Sequence, residues 1–179
     1  MEIVKIIVLC TVAACFYGVV QDQVTVRVCP EYFTIGHPPV FETGSLTLLA
    51  LGWGVIATWW VGLPLGTMVA LGSRVGQMPR LRAVELLRPL SVLLICTGAI
   101  ALLAGIAGYQ AAQMGIVWLV EPLASRIVAD RHPLYLADLW AHLAAYAAGA
   151  IGGIGLCIWC VVVRARRWSP AAAQPPIQG

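Results

Sequence analysis

The stretch PLSVLLICTGAIALLAGIAG, residues 89–108, contains no charged side chain. A helix needs about 20 apolar residues to cross the roughly 30 Å hydrocarbon core of a bilayer. In lipid the backbone polar groups must be bonded within the segment itself, which an α-helix achieves and an isolated strand does not. The stretch therefore predicts a transmembrane helix.

Three further apolar runs accompany this stretch, at about residues 3–20, 46–71 and 139–163. The chain is 60% hydrophobic and 11% charged, whereas about a quarter of the residues of a soluble domain are charged. We therefore predict an all-α fold, a membrane bundle of four transmembrane helices with two ordered outer loops, in which the third helix reaches about residue 110. This single domain covers residues 1–168, and a disordered cytoplasmic tail follows at residues 169–179.

The first apolar run is short, and VAAC at residues 12–15 resembles the motif that precedes a lipidated cysteine. A signal sequence normally begins with basic residues, whereas this chain begins MEIVK. We therefore expect a retained helix, and cleavage of the run is the alternative.

Loop charges predict the orientation. Arginines concentrate in the loop at residues 72–88 and after the fourth run, while the loops at residues 21–45 and 111–138 hold only Arg27, Arg126 and Arg131. The positive-inside rule therefore places both termini and the loop 72–88 in the cytoplasm, with the protein in the inner or plasma membrane. All three histidines, and every acidic residue except Glu2 and Glu85, then fall on the outer side.

The expected partner is the lipid bilayer, and the net charge of +3 is too small to indicate nucleic acid. Small residues recur at four-residue spacing in the third and fourth helices, which allows close approach of two helices. These rows are Ala101 with Gly105, Ala104 with Gly108, and Ala145 with Gly149 and Gly153. We expect the two helices to be neighbours, and a homo-oligomer or a membrane-protein partner is compatible with the same pattern.

Local patterns make further predictions for single segments. Val24, Val26 and Val28 alternate with polar residues, which favours an extended segment after the first helix. Pro64 should kink the second helix, where Gly62 and Gly66 form a close-approach face.

Two short amphipathic helices are also expected. Residues 80–88 should form an interfacial helix on the inner side, with Leu81, Val84 and Leu87 against lipid. Leu119, Leu123 and Ile127 recur at four-residue spacing and predict an amphipathic helix on the outer leaflet.

The polar residues of the outer side form one candidate cluster for ligand or proton binding. Its members are Asp22, Arg27, Glu31, His37, Asp130, His132, Asp138 and His142. Asp138 and His142 are four residues apart and share a helix face, which is typical of a carboxylate that orients a histidine for metal binding or proton transfer. The alternative is a helix start, with Asp138 at the N-terminal dipole and His142 bonded to a loop carbonyl.

A divalent metal is the one cofactor that the cluster suggests, because carboxylate and imidazole ligands suit zinc, iron or manganese. The candidate ligands are Glu31, His37, Asp138 and His142. No recognised ligand spacing is present. The alternative is a structural lid in which the acids are paired with three arginines. These are Arg27, Arg126 and Arg131.

The six cysteines do not indicate a disulfide framework, because only Cys29 falls in an outer loop. Cys157 and Cys160 have the spacing of a redox motif but lie in an apolar helix near the reducing side of the membrane. We expect buried, inert thiols.

Three long segments resemble a family of small, uncharacterised bacterial four-helix membrane proteins. They are YGVVQDQVTVRVCPEYFTIGHPP at residues 17–39, LALGWGVIATWWVGLPLG at residues 49–66 and LADLWAHLAAYAAGAIGG at residues 136–153. The resemblance covers most of the chain but implies no activity and no catalytic role. The family pattern tends to have His-Asp-Gln where this chain has Gln21-Asp22-Gln23, and a metal site that needed that histidine would lack a ligand here.

Three functions are compatible with the sequence. The first is an outer polar cap that binds a cation, a proton or a partner protein. The second is a membrane-embedded, metal-dependent enzyme acting on a lipid-like substrate, and the third is a small transporter or channel subunit.

Overall fold

The computed structural model describes residues 1–168, which form an all-α bundle. The helices are α1 (Glu2–Val28), α2 (Pro30–Thr34), α3 (Leu46–Ile56), α4 (Trp59–Arg74), α5 (Ala83–Gln113), α6 (Leu123–Arg126) and α7 (His132–Arg167). Four helical segments are long and apolar enough to cross a membrane. They are α1, α3 with α4, α5, and the segment that ends with α7. The chain is thus a multi-pass membrane protein, and the predicted tail at residues 169–179 lies outside the described residues.

The prediction of an extended segment after the first helix is wrong, because α1 continues to Val28. The buried residues Asp22, Thr25 and Val26 recur at spacings of three and four, which is the period of a helix. The helix ends where Pro30 begins α2 and Cys29 joins the two. The alternating valines gave a false signal, because Val24 is exposed whereas Val26 is buried.

The second membrane-spanning segment is interrupted at Ala57 and Thr58, between α3 and α4, and Pro64 lies within α4. The interruption therefore precedes the proline by one to two turns. Its free carbonyl at Ala57 accepts a hydrogen bond from the Tyr146 hydroxyl at 3.0 Å. The interruption thus lies before Pro64 and not at it, at a position where α7 supplies a hydrogen-bond donor.

Glycines bring α1 against α3 and α4. A methyl group built on Gly18 would lie 2.5 Å from the carbonyl oxygen of Gly54, so the two backbones touch there. A methyl group built on Gly62 would meet Ala14 of α1, and one built on Gly66 would meet Cys10. The predicted close-approach face is confirmed.

α5 and α7 are neighbours, as predicted, and the α5 glycines of the predicted rows face α7, whereas Gly153 of the predicted α7 row faces Leu65 of α4. A methyl group on Gly108 would lie 2.7 Å from the Trp140 side chain, and one on Gly105 would lie 3.3 Å from the Ala137 carbonyl oxygen. α7 also packs against α4, whereas α1 makes few contacts with α5. A groove of about 650 Å³ therefore lies between α1 and the α5–α7 pair.

Both predicted amphipathic helices differ from the structure. Residues 83–88 are the first turns of α5, and Leu81 is fully buried instead of facing lipid. The outer amphipathic helix is reduced to the single turn α6, because Leu119 and Ile127 are buried in the cap described below. Leu81, Leu119 and Ile127 therefore pack on the bundle, whereas Val84 and Leu87 are exposed.

Candidate functional site

Residues 29–45 and 114–131, here called the cap, cover the end of the bundle opposite the start of α1 and the end of α7. The cap and the helix ends share one apolar core. Its buried members are Val26, Cys29, Tyr32, Phe33, Leu49, Ala50, Trp53, Leu119, Ile127, Tyr135 and Leu136. The predicted ordered outer loops thus form one packed layer over the polar groups beneath it.

Asp22 of α1 and His142 of α7 form a buried pair beneath the cap. The distance from His142 Nε2 to Asp22 Oδ1 is 3.1 Å, and Asp22 is 4% exposed. The other ring nitrogen, Nδ1, lies 2.7 Å from the backbone carbonyl oxygen of Asp138. The pair joins two helices that otherwise make few contacts with each other.

The hydrogen bonds of His142 determine how many protons the pair holds. The Asp138 carbonyl oxygen can only accept, so Nδ1 carries a hydrogen. An ionised Asp22 can also only accept, and it then requires a second hydrogen on Nε2. If Nε2 is bare, Asp22 itself must be protonated and donate. In either case the contact between the two side chains holds one exchangeable proton.

Aromatic rings surround this pair on the cap side. The Tyr32 ring stacks on His142 with centroids 4.6 Å apart and planes inclined by 23°. Tyr32 also contacts His37, whose Nδ1 donates to the Tyr32 carbonyl oxygen at 2.7 Å. Trp53 lies on the other side of His37, at 4.7 Å between centroids. His37 is half-buried, so a chain of rings leads from the edge of the cap to His142.

Asp138 lies one turn before His142 and is 2% exposed. Within residues 1–168, its Oδ2 has no hydrogen-bond partner. Since α7 begins at His132, Asp138 is in the second turn, and the interpretation of Asp138 as a helix start is wrong. The shared face is confirmed, but His142 bonds the Asp138 backbone and not its carboxylate.

Glu31 and Arg131 connect the two halves of the cap. Arg131 Nη2 lies 3.1 Å from Glu31 Oε2, and its Nε lies 3.2 Å from Oε1, so the pair is bidentate. Arg131 also donates to the Val28 carbonyl oxygen at the end of α1. Partial burial opposes ionisation of Glu31, but the hydrogen bonds from Arg131, the backbone and Cys29, together with the charge of Arg131, outweigh it and hold the pKa of the carboxyl below its usual value. Burial raises the pKa of the neighbouring Cys29 thiol to about 12.

Because the pKa of Glu31 is lower in the folded protein, its pairing stabilises the fold fully above about pH 4.3 and is lost as the pH falls through the lowered value. Glu31→Gln should therefore lower the free energy of unfolding by about 1 kcal/mol at pH 7. This difference should shrink below pH 4. The measurement is equilibrium unfolding in mixed micelles against pH, with the exposed Glu42→Gln as control. An equal effect of both variants would contradict the role of the pair.

The other predicted residues do not join the buried pair. Arg27 donates to Gln23 and Thr47, and His132 Nε2 contacts the Ile127 carbonyl oxygen at 2.9 Å. Asp130 and Arg126 are exposed. Within residues 1–168, Arg131 alone of the three outer arginines pairs with an acid, so the predicted lid is held by one ion pair.

Three of the four candidate metal ligands bond other residues, and His37 is one of them, through the Tyr32 carbonyl oxygen. Glu31 is paired with Arg131, while His142 is bonded to Asp22. Among the described residues, no group of three or more His, Cys, Asp or Glu side chains has the arrangement to hold a metal ion. The structure therefore does not assemble the predicted ligand set.

Sequence reasoning missed a cavity of about 110 Å³ that adjoins the pair inside the bundle. Asp22 and His142 form part of its wall, together with Gln21, Thr97 and Tyr146. A signal for Tyr146 existed, since it follows His142 by four residues on the same helix face. Thr97 stands out as a hydroxyl within the apolar stretch at residues 89–108.

Comparisons with protein-family models, with curated proteins and with solved structures found no match for this chain. The function must therefore be argued from the geometry alone.

Proposed function

We propose that this chain is a proton-binding protein of the inner or plasma membrane of a bacterium, and that the proton is held between Asp22 and His142. The observation that carries the proposal is the Nε2–Oδ1 contact of 3.1 Å between two buried side chains. Since the Asp138 carbonyl fixes a hydrogen on Nδ1, this contact requires one proton, which the imidazole or the carboxyl can carry. A pair of this kind inside a membrane protein is typical of a proton relay.

The surroundings support exchange of this proton and not a fixed charge pair. Among the described residues, the titratable neighbours of Asp22 other than His142 include no arginine or lysine. From the packed elements these neighbours are Tyr17, Tyr32, His37, Asp138 and Tyr146. His142 lies between the cap, where the half-buried His37 provides access, and the internal cavity.

The orientation is part of the proposal. The start of α1, residues 75–82 and the end of α7 lie at one end of the bundle, and this end carries most of the arginines. The positive-inside rule favours this end as cytoplasmic, which would place the cap and the proton pair toward the outer face. We also propose membership of the four-helix family described above, because its shared segments contain Asp22, Glu31, His37, Asp138 and His142.

The test is an infrared pH titration of the purified protein in nanodiscs, with ¹³C-labelled aspartate. The wild type should show a carboxyl or imidazole change over the pH range in which the protein stays folded. Asp22→Asn keeps the shape of the side chain and can donate to Nε2, so it should abolish this change. The exposed Asp130→Asn is the matched control and should retain it. Identical titrations of the wild type and Asp22→Asn would refute the proposal.

A second candidate is an enzyme that acts on an apolar substrate, with His142 as the general base. The observation that favours it is the groove between α1 and α5, because Tyr17 and Gln21 line both this groove and the cavity beside His142. A substrate dissolved in the lipid would reach the pair by this route. If turnover of an apolar substrate is lost in His142→Phe but kept in Asp130→Asn, this result would favour the enzyme over the proton-binding protein.

A further inference from the structure

We propose that a groove between α5 and α7, here called the Arg88 groove, binds an anionic phospholipid of the surrounding membrane. An acyl chain of the lipid lies along the groove, and the phosphate contacts the guanidinium of Arg88. The groove has a volume of about 550 Å³ and runs between residues 88–96 of α5 and residues 152–159 of α7. Neither Asp22 nor His142 lines it, so this site does not depend on the proton pair.

The Arg88 groove extends across most of one lipid leaflet. α5 begins and α7 ends at the arginine-rich end of the bundle, so Arg88 and Trp159 lie at the mouth of the groove and Cys96 and Gly152 at its deep end. From Arg88 to Cys96 the helix rises about 12 Å, and one leaflet contributes about 15 Å of hydrocarbon. An acyl chain that enters beside Arg88 therefore extends most of the way to the centre of the bilayer.

The wall of the groove below Arg88 is apolar and open to lipid. A methyl group built on Gly155 would have no atom within 4 Å, so the groove is empty of protein at this position. One built on Gly152 would meet Leu93, so this leucine forms the floor there. Val92 and Trp159 also line the groove, and both are exposed. These surfaces match the chemistry of an acyl chain and of the interfacial region above it.

The charge at the mouth of the groove lacks a counter-charge from the protein. Arg88 is exposed and forms no salt bridge in the described part of the chain. The two acids at this end are already paired, Glu2 with Lys5 and Glu85 with Arg167. A lipid phosphate supplies the missing negative charge, as in other basic pockets between transmembrane helices.

The excess of positive charge at this end decides between lipid headgroups. Arg82 before α5 and Arg166 near the end of α7 are also exposed, and neither forms a salt bridge within the described residues. A zwitterionic headgroup brings a cation of its own to this positive end, whereas an anionic headgroup does not. The Arg88 groove therefore prefers a lipid with a net negative charge.

The test is native mass spectrometry of the full chain released from detergent micelles, which counts the lipids that the protein retains. Phosphatidylglycerol and phosphatidylcholine with the same acyl chains are added separately. We expect one phosphatidylglycerol to bind about fivefold more tightly than phosphatidylcholine, the contribution of one arginine near a membrane surface. Arg88→Gln should abolish this preference. Arg80→Gln should keep it, because Arg80 is exposed at the same end but does not line the groove.

A second pair of variants tests the acyl-chain part of the site. Gly155→Leu places a side chain in the open groove and should abolish the bound phosphatidylglycerol. Ala150→Leu is the matched control, because Ala150 is exposed on the same helix and does not line the groove. This control should retain the lipid with the affinity of the wild type.

Four results would overturn the proposal. Phosphatidylglycerol bound to Gly155→Leu with the affinity of the wild type would show that the groove is not the site. Equal binding of the two lipids to the wild type would remove the role of charge. Equal losses in Arg88→Gln and Arg80→Gln would mean that the arginine-rich end attracts anionic lipid without a groove. A lipid-free dimer that Gly155→Leu dissociates would identify a second copy as the occupant.

Circular dichroism confirms that each variant is folded. If Gly155→Leu does not fold, Gly155→Val takes up part of the same space and gives the same comparison with Ala150→Val.

Discussion

Arg164→Met is expected to lower the free energy of unfolding by about 3–5 kcal/mol, the range for losing one side of a buried charged contact. Arg164 is 1% exposed and belongs to the last turns of α7. Its guanidinium donates to the carbonyl oxygens of four residues at distances of 2.6–3.1 Å. These residues are Gly72, Val75, Met78 and Pro79.

The effect should be large because the carbonyls depend on this one side chain. They belong to the end of α4 and the loop that follows it, where a helix leaves its last carbonyls without intrahelical partners. The negative end of the α4 dipole favours a cation at this place. Methionine would fill the volume and leave these oxygens buried without a donor.

Equilibrium unfolding in mixed micelles measures the loss. Arg166→Met is the matched control, because Arg166 is exposed on the same helix end, and it should change stability by about 0.5 kcal/mol or less. Arg164→Lys should recover only part of the stability, since an ammonium cannot form the planar fork of a guanidinium. A loss equal to that of Arg166→Met would show that the loop does not need Arg164.

His142→Phe is expected to lower the free energy of unfolding by about 3–5 kcal/mol, because it leaves Asp22 buried without its partner. Phenylalanine keeps the ring that stacks on Tyr32, so the loss reports the missing hydrogen bond and not the missing aromatic contact. Asp22→Leu alone should also lower the free energy of unfolding, because it leaves Nε2 of His142 without a partner.

The double variant Asp22→Leu with His142→Phe is the decisive member of this series. An apolar pair of similar volume needs no partner, so the double variant should be more stable than His142→Phe and within about 2 kcal/mol of the wild type. The coupling energy from the four unfolding curves should be about 2 kcal/mol or more. Additive losses would mean that the two side chains do not interact. If the stable double variant also lacks the pH-dependent infrared change, the loss of proton binding is not caused by unfolding.

The fold could be predicted from the sequence because it depends on hydropathy and on small residues. The charge-free stretch at residues 89–108 and its three counterparts all lie within membrane-spanning helices, and the Gly105 and Gly108 faces pack as predicted. The end of the first helix could not be predicted correctly from the sequence. A run of β-branched residues fits a strand and a helix equally well until the buried face is known.

The candidate site could be predicted only within single helices. The shared face of Asp138 and His142 follows from their spacing, but the partner of His142 lies 120 residues away in the chain, at Asp22. Such a contact depends on how α1 is placed against α7, which no local pattern contains. The charge pattern of the sequence treats Arg164 like the other arginines after the fourth apolar run, as a loop charge. Nothing in that pattern shows that its side chain is buried.

The sparse contact between α1 and α5 has a consequence for how this sequence can vary. Residues 1–74 and residues 83–168 form two helical hairpins, each held together internally by apolar and glycine contacts. Four of the hydrogen bonds between them are Asp22 with His142, Glu31 with Arg131, Ala57 with Tyr146, and Gly72 with Arg164. The first two join side chain to side chain, so mutations at these positions should survive in natural variants only as compensated pairs. Tyr146 and Arg164 bond backbone oxygens, so a side-chain change on the other hairpin would not restore their bonds, whereas the lipid-facing positions of either hairpin can change independently.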